Sequence, residues 1–228
     1  MKYEIIGGSM QAVRISLDVG ERIYSDSGKL VSKSKSVTME PRMVGGIVGA
    51  IERKITGATG FLTEFVAKDE PGHITVAGVL PGKIYQLTLG EGEDFIAEHY
   101  AFIAADETVK FTMQTVGIGG AFFGGAGLIL QKFVGPGNVF LHITGDIVEY
   151  NVTDDNPLEI DPGHIAGFDS SLKYKITFVD NIRTAMFGGV GLFLAKFEGN
   201  GKVVAHSVSR LKMASELYLQ GKADTNSK

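Results

Sequence analysis

Five histidines, His73, His99, His142, His164 and His206, are the side chains in this sequence best suited to hold a metal or move a proton near neutral pH. No two of them show His-x-His or His-Glu-x-x-His spacing, so the common metal layouts are missing. His142 and His206 are 64 positions apart and share a sequence context, but the corresponding earlier position is Ala77. A metal site written into every copy of a repeat needs its ligand in every copy. The expectation is therefore no metal ligand and no cofactor, with strand histidines that are hydrogen-bonded or solvated. Glu98 and His99 could form a base and its partner, but adjacent residues of a strand point to opposite faces. The other carboxylates, Glu91, Glu93 and Asp94, Asp154 and Asp155, and Asp161, fall where turns between strands are expected. The serines of "SKSKSVTM" (32–39) lack a nucleophile elbow, and their alternation with lysine suits an exposed strand edge.

The glycine-rich block "GIGGAFFGGAG" (117–127) invites a nucleotide reading and fails it. Phe122 stands where the dinucleotide fingerprint needs its third glycine, no Lys-Ser/Thr follows, and no strand-helix-strand setting surrounds it. Gly124, Gly125 and Gly127 recur as Gly188, Gly189 and Gly191. A ligand loop need be written once, whereas a packing loop recurs with its copy, so these six are read as structural glycines. No catalytic residue emerges, and the expectation is a protein that is not an enzyme.

The elements that would position these residues are strands. "KIYQLTL" and "VKFTMQTV" alternate with a period of two, placing Ile84 and Gln86 opposite Tyr85, Leu87 and Leu89, and Val109, Phe111 and Met113 on one face. Pro71-Gly72, Pro136-Gly137 and Asn200-Gly201 read as hairpin turns. Helix is scarce: one turn or more within 45–55, and a short helix at 210–220 with Leu211, Ala214 and Leu217 on a stripe, followed by a disordered tail. The helical share should stay below about a fifth.

The strand pattern is written three times. Gly127 meets Gly191, Phe133 meets Phe197 and Gly137 meets Gly201 at an offset of 64. Ile84 meets Ile147 and Phe102 meets Ile165 at an offset of 63, and Val13 meets Tyr85 and Leu30 meets Phe102 at 72. Residues 1–210 therefore read as one β-rich region of three copies, about 11–82, 83–145 and 146–210, with 211–228 as helix and tail. Such copies hide their apolar faces against neighbours. Neither end reads as a polar cap, so head-to-tail contact between chains would bury both, and a contact that closes gives a ring.

Composition bounds the partners. The 228 residues carry 22 Lys+Arg against 26 Asp+Glu, a net charge of −4, with scattered basic residues and no tryptophan, which argues against nucleic acid. Cysteine is absent, in keeping with a reducing compartment. The start, "MKYEIIGGSMQAV", lacks the apolar run of a secretion signal, and "VGIGGAFFGGAGLIL" is too short and glycine-rich to span a bilayer as a helix. A cytoplasmic protein is expected.

"LPGKIYQLTL" (80–89), "FIAEHYAFIAAD" (95–106), "GGAFFGGAGLILQKFVGPGNVFLHITG" and "GGVGLFLAKFEGNGKVV", in that order, resemble the family of the mitochondrial biogenesis protein named for altered inheritance of mitochondria. The resemblance covers about residues 3–210. It implies an all-β fold similar to the trp RNA-binding attenuation protein, a short double-stranded β-helix or β-sandwich, in three tandem copies per chain. It implies assembly into rings, here a homotrimer of nine copies, acting as a scaffold linked to membrane or envelope organisation through a peripheral membrane or protein partner. The alternative is a small-ligand or RNA-binding module that uses grooves between copies.

Overall fold

A computed structural model describes residues 1–26, 28–42, 62–116, 128–178, 193–210 and 212–218. The structural glycines expected at 124, 125, 127, 188, 189 and 191, the helical turn expected within 45–55 and the tail beyond 218 lie outside the described residues. Strands take 65% of the described residues and helical turns 8%, so the protein is all-β with little helix. The chain divides into two compact units, Met1–Ile143 and Thr144–Lys228.

The first unit holds β1 (Lys2–Ile6), β2 (Ala12–Leu17), β3 (Arg22–Asp26), β4 (Leu30–Lys33), β5 (Val37–Arg42), β6 (Leu62–Ala67), β7 (Gly72–Ala77), β8 (Gly82–Leu89), β9 (Asp94–Glu98), β10 (Phe102–Asp106), β11 (Lys110–Val116), β12 (Leu128–Val134) and all but the last residue of β13 (Gly137–Thr144), Thr144 opening the second unit. They form sheets ordered β1-β2-β7-β4 and β5-β6-β3-β10-β13-β8, and β11-β12-β9 lie side by side. In β2, Val13, Ile15 and Leu17 point inward and Arg14 and Ser16 outward, the alternation of a half-buried strand. Those three join Ile23, Val37, Phe65, Ile74, Val76, Ile84, Ile103 and Phe140 in a core drawn from both large sheets. Each such side chain, fully buried, contributes about 1.5–3 kcal/mol. The alternation expected along β8 is blurred: Ile84 and Leu89 are buried, while Tyr85, Gln86 and Leu87 are all half-buried.

A second cluster is aromatic. Phe102 lies 5.1 Å from Phe133, and Tyr24 lies 5.8 Å from Phe102 and 5.9 Å from Phe111, between ring centroids. Tyr24 is fully buried, and its hydroxyl donates to Val109 O at 3.0 Å. The Arg42 guanidinium sits 4.2 Å over the Tyr24 ring and donates to Glu64, which also accepts from Arg22. Burial raises the Tyr24 hydroxyl above its ordinary titration range, with the Arg42 charge opposing.

The second unit holds β14 (Ile147–Val152), β15 (Leu158–Ile160), β16 (Ile165–Asp169), β17 (Lys173–Phe178), β18 (Phe193–Glu198) and β19 (Gly201–His206). Here β16-β19-β14 lie side by side, and β15-β18-β17 form a separate sheet. Phe168, Tyr174 and Phe197 make its aromatic core, with Phe168 4.9 Å from each of the other two. Residues 212–218 are helical; Leu211 of the expected apolar stripe lies outside the described residues, and Ala214, Leu217 and Tyr218 are exposed among them.

The hairpin reading of Pro71-Gly72, Pro136-Gly137 and Asn200-Gly201 is corrected by the sheets. These turns join β6 to β7, β12 to β13 and β18 to β19, and in each case the two strands belong to different sheets. The reason is occupancy. β6 already lies between β5 and β3, β12 between β11 and β9, and β18 between β15 and β17, so no edge is left for the strand that follows. The turns are corners where the chain changes sheet.

Candidate functional site

Three of the five histidines, His142, His164 and His206, are tied into backbone. His206 ends β19, and its Nδ1 accepts the Thr144 backbone N–H at 2.9 Å, so the neutral ring keeps its proton on Nε2. His164 Nδ1 donates to His206 O at 2.8 Å. His142 lies buried on β13 beneath the loop from Gly78 to Gly82; a Cβ on Gly78 would stand 2.1 Å from its ring, and one on Gly82 2.0 Å from Ile143 O. Burial lowers its pKa below 6.5, the Lys29 charge adds to this, and a backbone hydrogen bond with Leu80 opposes it. His73 Nδ1 lies 2.9 Å from Ser34 Oγ on the surface. His99 is buried in a 3₁₀ turn, 99–101. Among the described residues no three His, Asp or Glu side chains gather as metal ligands.

Three of the carboxylates, Glu93, Glu98 and Asp161, close turns. Glu98 is the last residue of β9 and His99 the first of the 3₁₀ turn, so the two do not alternate along a strand as expected. Glu98 accepts the Ala101 N–H at 3.1 Å, and Asp161 accepts the Gly163 N–H at 2.8 Å and pairs with Lys212 at 2.8 Å. Glu93 accepts the Gly90 N–H, Asp94 pairs with Lys132, and Asp154 accepts from Asn200 Nδ2. Glu91 and Asp155 are exposed.

A device missed in the sequence holds all three corners. Ser36, Thr108 and Ser171 donate their hydroxyls to the carbonyls of Pro71, Pro136 and Asn200 at 3.0, 2.6 and 3.0 Å. Two residues earlier, Ser34 Oγ, Asp106 Oδ2 and Asp169 Oδ2 accept the backbone N–H of His73, Asn138 and Lys202 at 3.0, 2.8 and 2.7 Å. One acceptor and one donor, spaced by a single residue, clamp both ends of each turn. Glycine is needed between them: a Cβ on Gly72, Gly137 or Gly201 would meet the clamp hydroxyl of Ser36, Thr108 or Ser171 at 2.6, 2.9 or 3.0 Å. Gly137 also has a φ of 141°, which favours glycine. The pattern Ser-x-Ser, Asp-x-Thr, Asp-x-Ser at offsets of 72 and 63 was available as a signal.

The remaining feature is a pair of open strand edges. β4 ends the sheet β1-β2-β7-β4, and β15 ends the sheet β15-β18-β17. β10 and β3, related to them by sequence, lie side by side within the first unit, with Ser25, Tyr24 and Ile23 opposite Ala104, Ala105 and Asp106. Exposure follows pairing: Val31 of β4 is 63% exposed, whereas Ile103, its counterpart in β10, is fully buried. A strand edge with unpaired N–H and C=O groups is a template for another strand. The apolar opening stretch is not that edge, because β1 adds to β2.

A family model described as "Mitochondrial biogenesis AIM24" matches residues 3–208. The chain belongs to the AIM24 family. An uncharacterized protein of Streptococcus pyogenes serotype M6 is 29% identical to this AIM24 chain over 222 residues, 93% of it and 88% of the relative. A structural-genomics crystal structure of a Streptococcus pyogenes protein superposes with a TM-score of 0.79 at 25% identity, over 96% of the AIM24 chain and 99% of the other. Among the described residues no helix is long and apolar enough to cross a membrane.

Proposed function

We propose that this AIM24 chain is a non-enzymatic scaffold, built from three tandem copies of one β unit and closed head to tail with two further chains into a homotrimeric ring. The observation that carries the reading is the pair of open edges: among the described residues β4 and β15 have no outer neighbour, whereas their sequence counterparts β10 and β3 pair with each other. A head and a tail that match each other, but not themselves, make a heterologous contact, which closes into a ring or runs on as a fibre. The corner clamps recurring at Ser34, Asp106 and Asp169 support the three-copy plan. A structural role is supported by Glu93, Glu98, Asp106, Asp161 and Asp169, which accept backbone N–H groups, and by His164 and His206, which bind backbone. Size-exclusion chromatography with light scattering tests the proposal. A trimer of the 24.4 kDa chain is expected, and a monomer at micromolar concentration would overturn it.

A further inference from the structure

We propose that the partner of each open edge is a second copy of this chain, with β15 of one chain adding antiparallel to β4 of the next in a fixed register, and that Lys33 and Glu159 are the opposed pair that selects it. The inference rests on the ring reading and goes beyond it by naming the joint. The register comes from the pairing of β3 with β10. Ile23, Tyr24 and Ser25 correspond in sequence to Leu158, Glu159 and Ile160, and Ala104, Ala105 and Asp106 to Ser32, Lys33 and Ser34. Carrying the pairing over places Ser32 opposite Ile160, Lys33 opposite Glu159 and Ser34 opposite Leu158.

Three observations converge on it. The first is charge. Where Tyr24 faces Ala105 inside the chain, the transferred register puts a lysine against a glutamate, although nothing in the transfer used charge. Directly opposed unlike charges stabilise a strand pair, and like charges destabilise it. The second is backbone direction. Ser34 donates its N–H to His73 O in β7, so by alternation the N–H and C=O of Lys33 point away from β7. On the other strand, Ala67 donates to Glu21 O, so the N–H and C=O of Tyr24 point away from β6, and Glu159 inherits that direction. The two residues thus present ladder groups to each other. The third is exposure: Val31, Ser32 and Lys33 are exposed, and Leu158 and Ile160 are half-buried, where β3 and β10 bury their central residues. Other strands such as β5 and β17 also end sheets, but they correspond to each other in sequence and not to the pair β3 and β10 that supplies the register.

The test is a charge exchange read as the concentration at which the assembly dissociates. Lys33→Glu and Glu159→Lys should each raise that concentration by roughly 2- to 30-fold per joint, and the double exchange should restore most of the loss. The single-variant effect should shrink as salt is raised. Glu159→Pro, which removes an outward N–H at an edge where proline is tolerated, should weaken assembly while the chain keeps its β spectrum. A wild-type trimer that ignores both single exchanges, or a double exchange no better than the sum of the singles, would overturn the joint and leave the ring reading standing. A wild-type monomer would overturn both.

Discussion

Asp106 offers the sharpest test of the corner clamps. Its Oδ2 accepts two N–H groups of Asn138, from the backbone and from Nδ2, both at 2.8 Å. Asp106→Ala leaves both donors without this acceptor. Hydrogen bonds to charged groups contribute about 1.5–3 kcal/mol each, and the half-buried setting argues for the low end, so the pair should cost about 2–4 kcal/mol. Asp169 accepts one backbone N–H, from Lys202, and Asp169→Ala should cost about 1–2 kcal/mol. Ser34 is a neutral acceptor at an exposed contact, and Ser34→Ala should cost about 0.5–1 kcal/mol. For a chain of this size each kcal/mol moves the melting temperature by about 2–4 °C, which gives drops of roughly 4–16, 2–8 and 1–4 °C. Thermal melts at one fixed chain concentration read the series, because assembly would otherwise shift the midpoint. Equal drops, or a larger drop for Ser34→Ala than for Asp106→Ala, would refute the clamp reasoning.

Gly78→Ala places a methyl group into the His142 ring and should cost about 1–3 kcal/mol by overpacking, measured as a lower midpoint in urea; an unchanged midpoint would contradict the contact. The folded pKa of His142 lies below 6.5, so the unfolded chain binds more protons between the two values. Stability should therefore hold above pH 6.5 and fall as pH drops through that window, and His142→Asn should flatten the slope of melting temperature against pH. Tyr24→Phe removes the donor to Val109 O in a fully buried place and should cost about 1–3 kcal/mol, again read from denaturant midpoints.

Much of the fold is legible because a strand's alternation is local. Val13, Ile15 and Leu17 declare the inner face of β2 without reference to any partner. What the sequence hides is which strands pair. Asn200-Gly201 looks like the tip of a hairpin, yet β18 and β19 enter different sheets, and the positive φ there belongs to Gly199 at 104°. Turn chemistry reports a tight reversal and says nothing of whether the flanking edges are already occupied. The clamps were hidden for a related reason: Ser34 and His73 are 39 residues apart, and only the corner brings them together. Glu98 and His99 misled because a change from strand to 3₁₀ turn falls between them. Val31 reads as core from its type and becomes edge only once β4 is seen to lack an outer neighbour among the described residues.

The chain contains no cysteine, so a disulfide placed across the joint can be read without background. Residues directly opposite on antiparallel strands stand about 4.5–5.5 Å apart at Cα, within the span a disulfide bridges. Ser32→Cys combined with Ile160→Cys, oxidised and run without reductant, should give a covalent species of three chains that returns to monomer on reduction, while either single variant stays monomeric. A double variant that forms no covalent species between chains, although the untreated protein assembles, would contradict the β4–β15 joint.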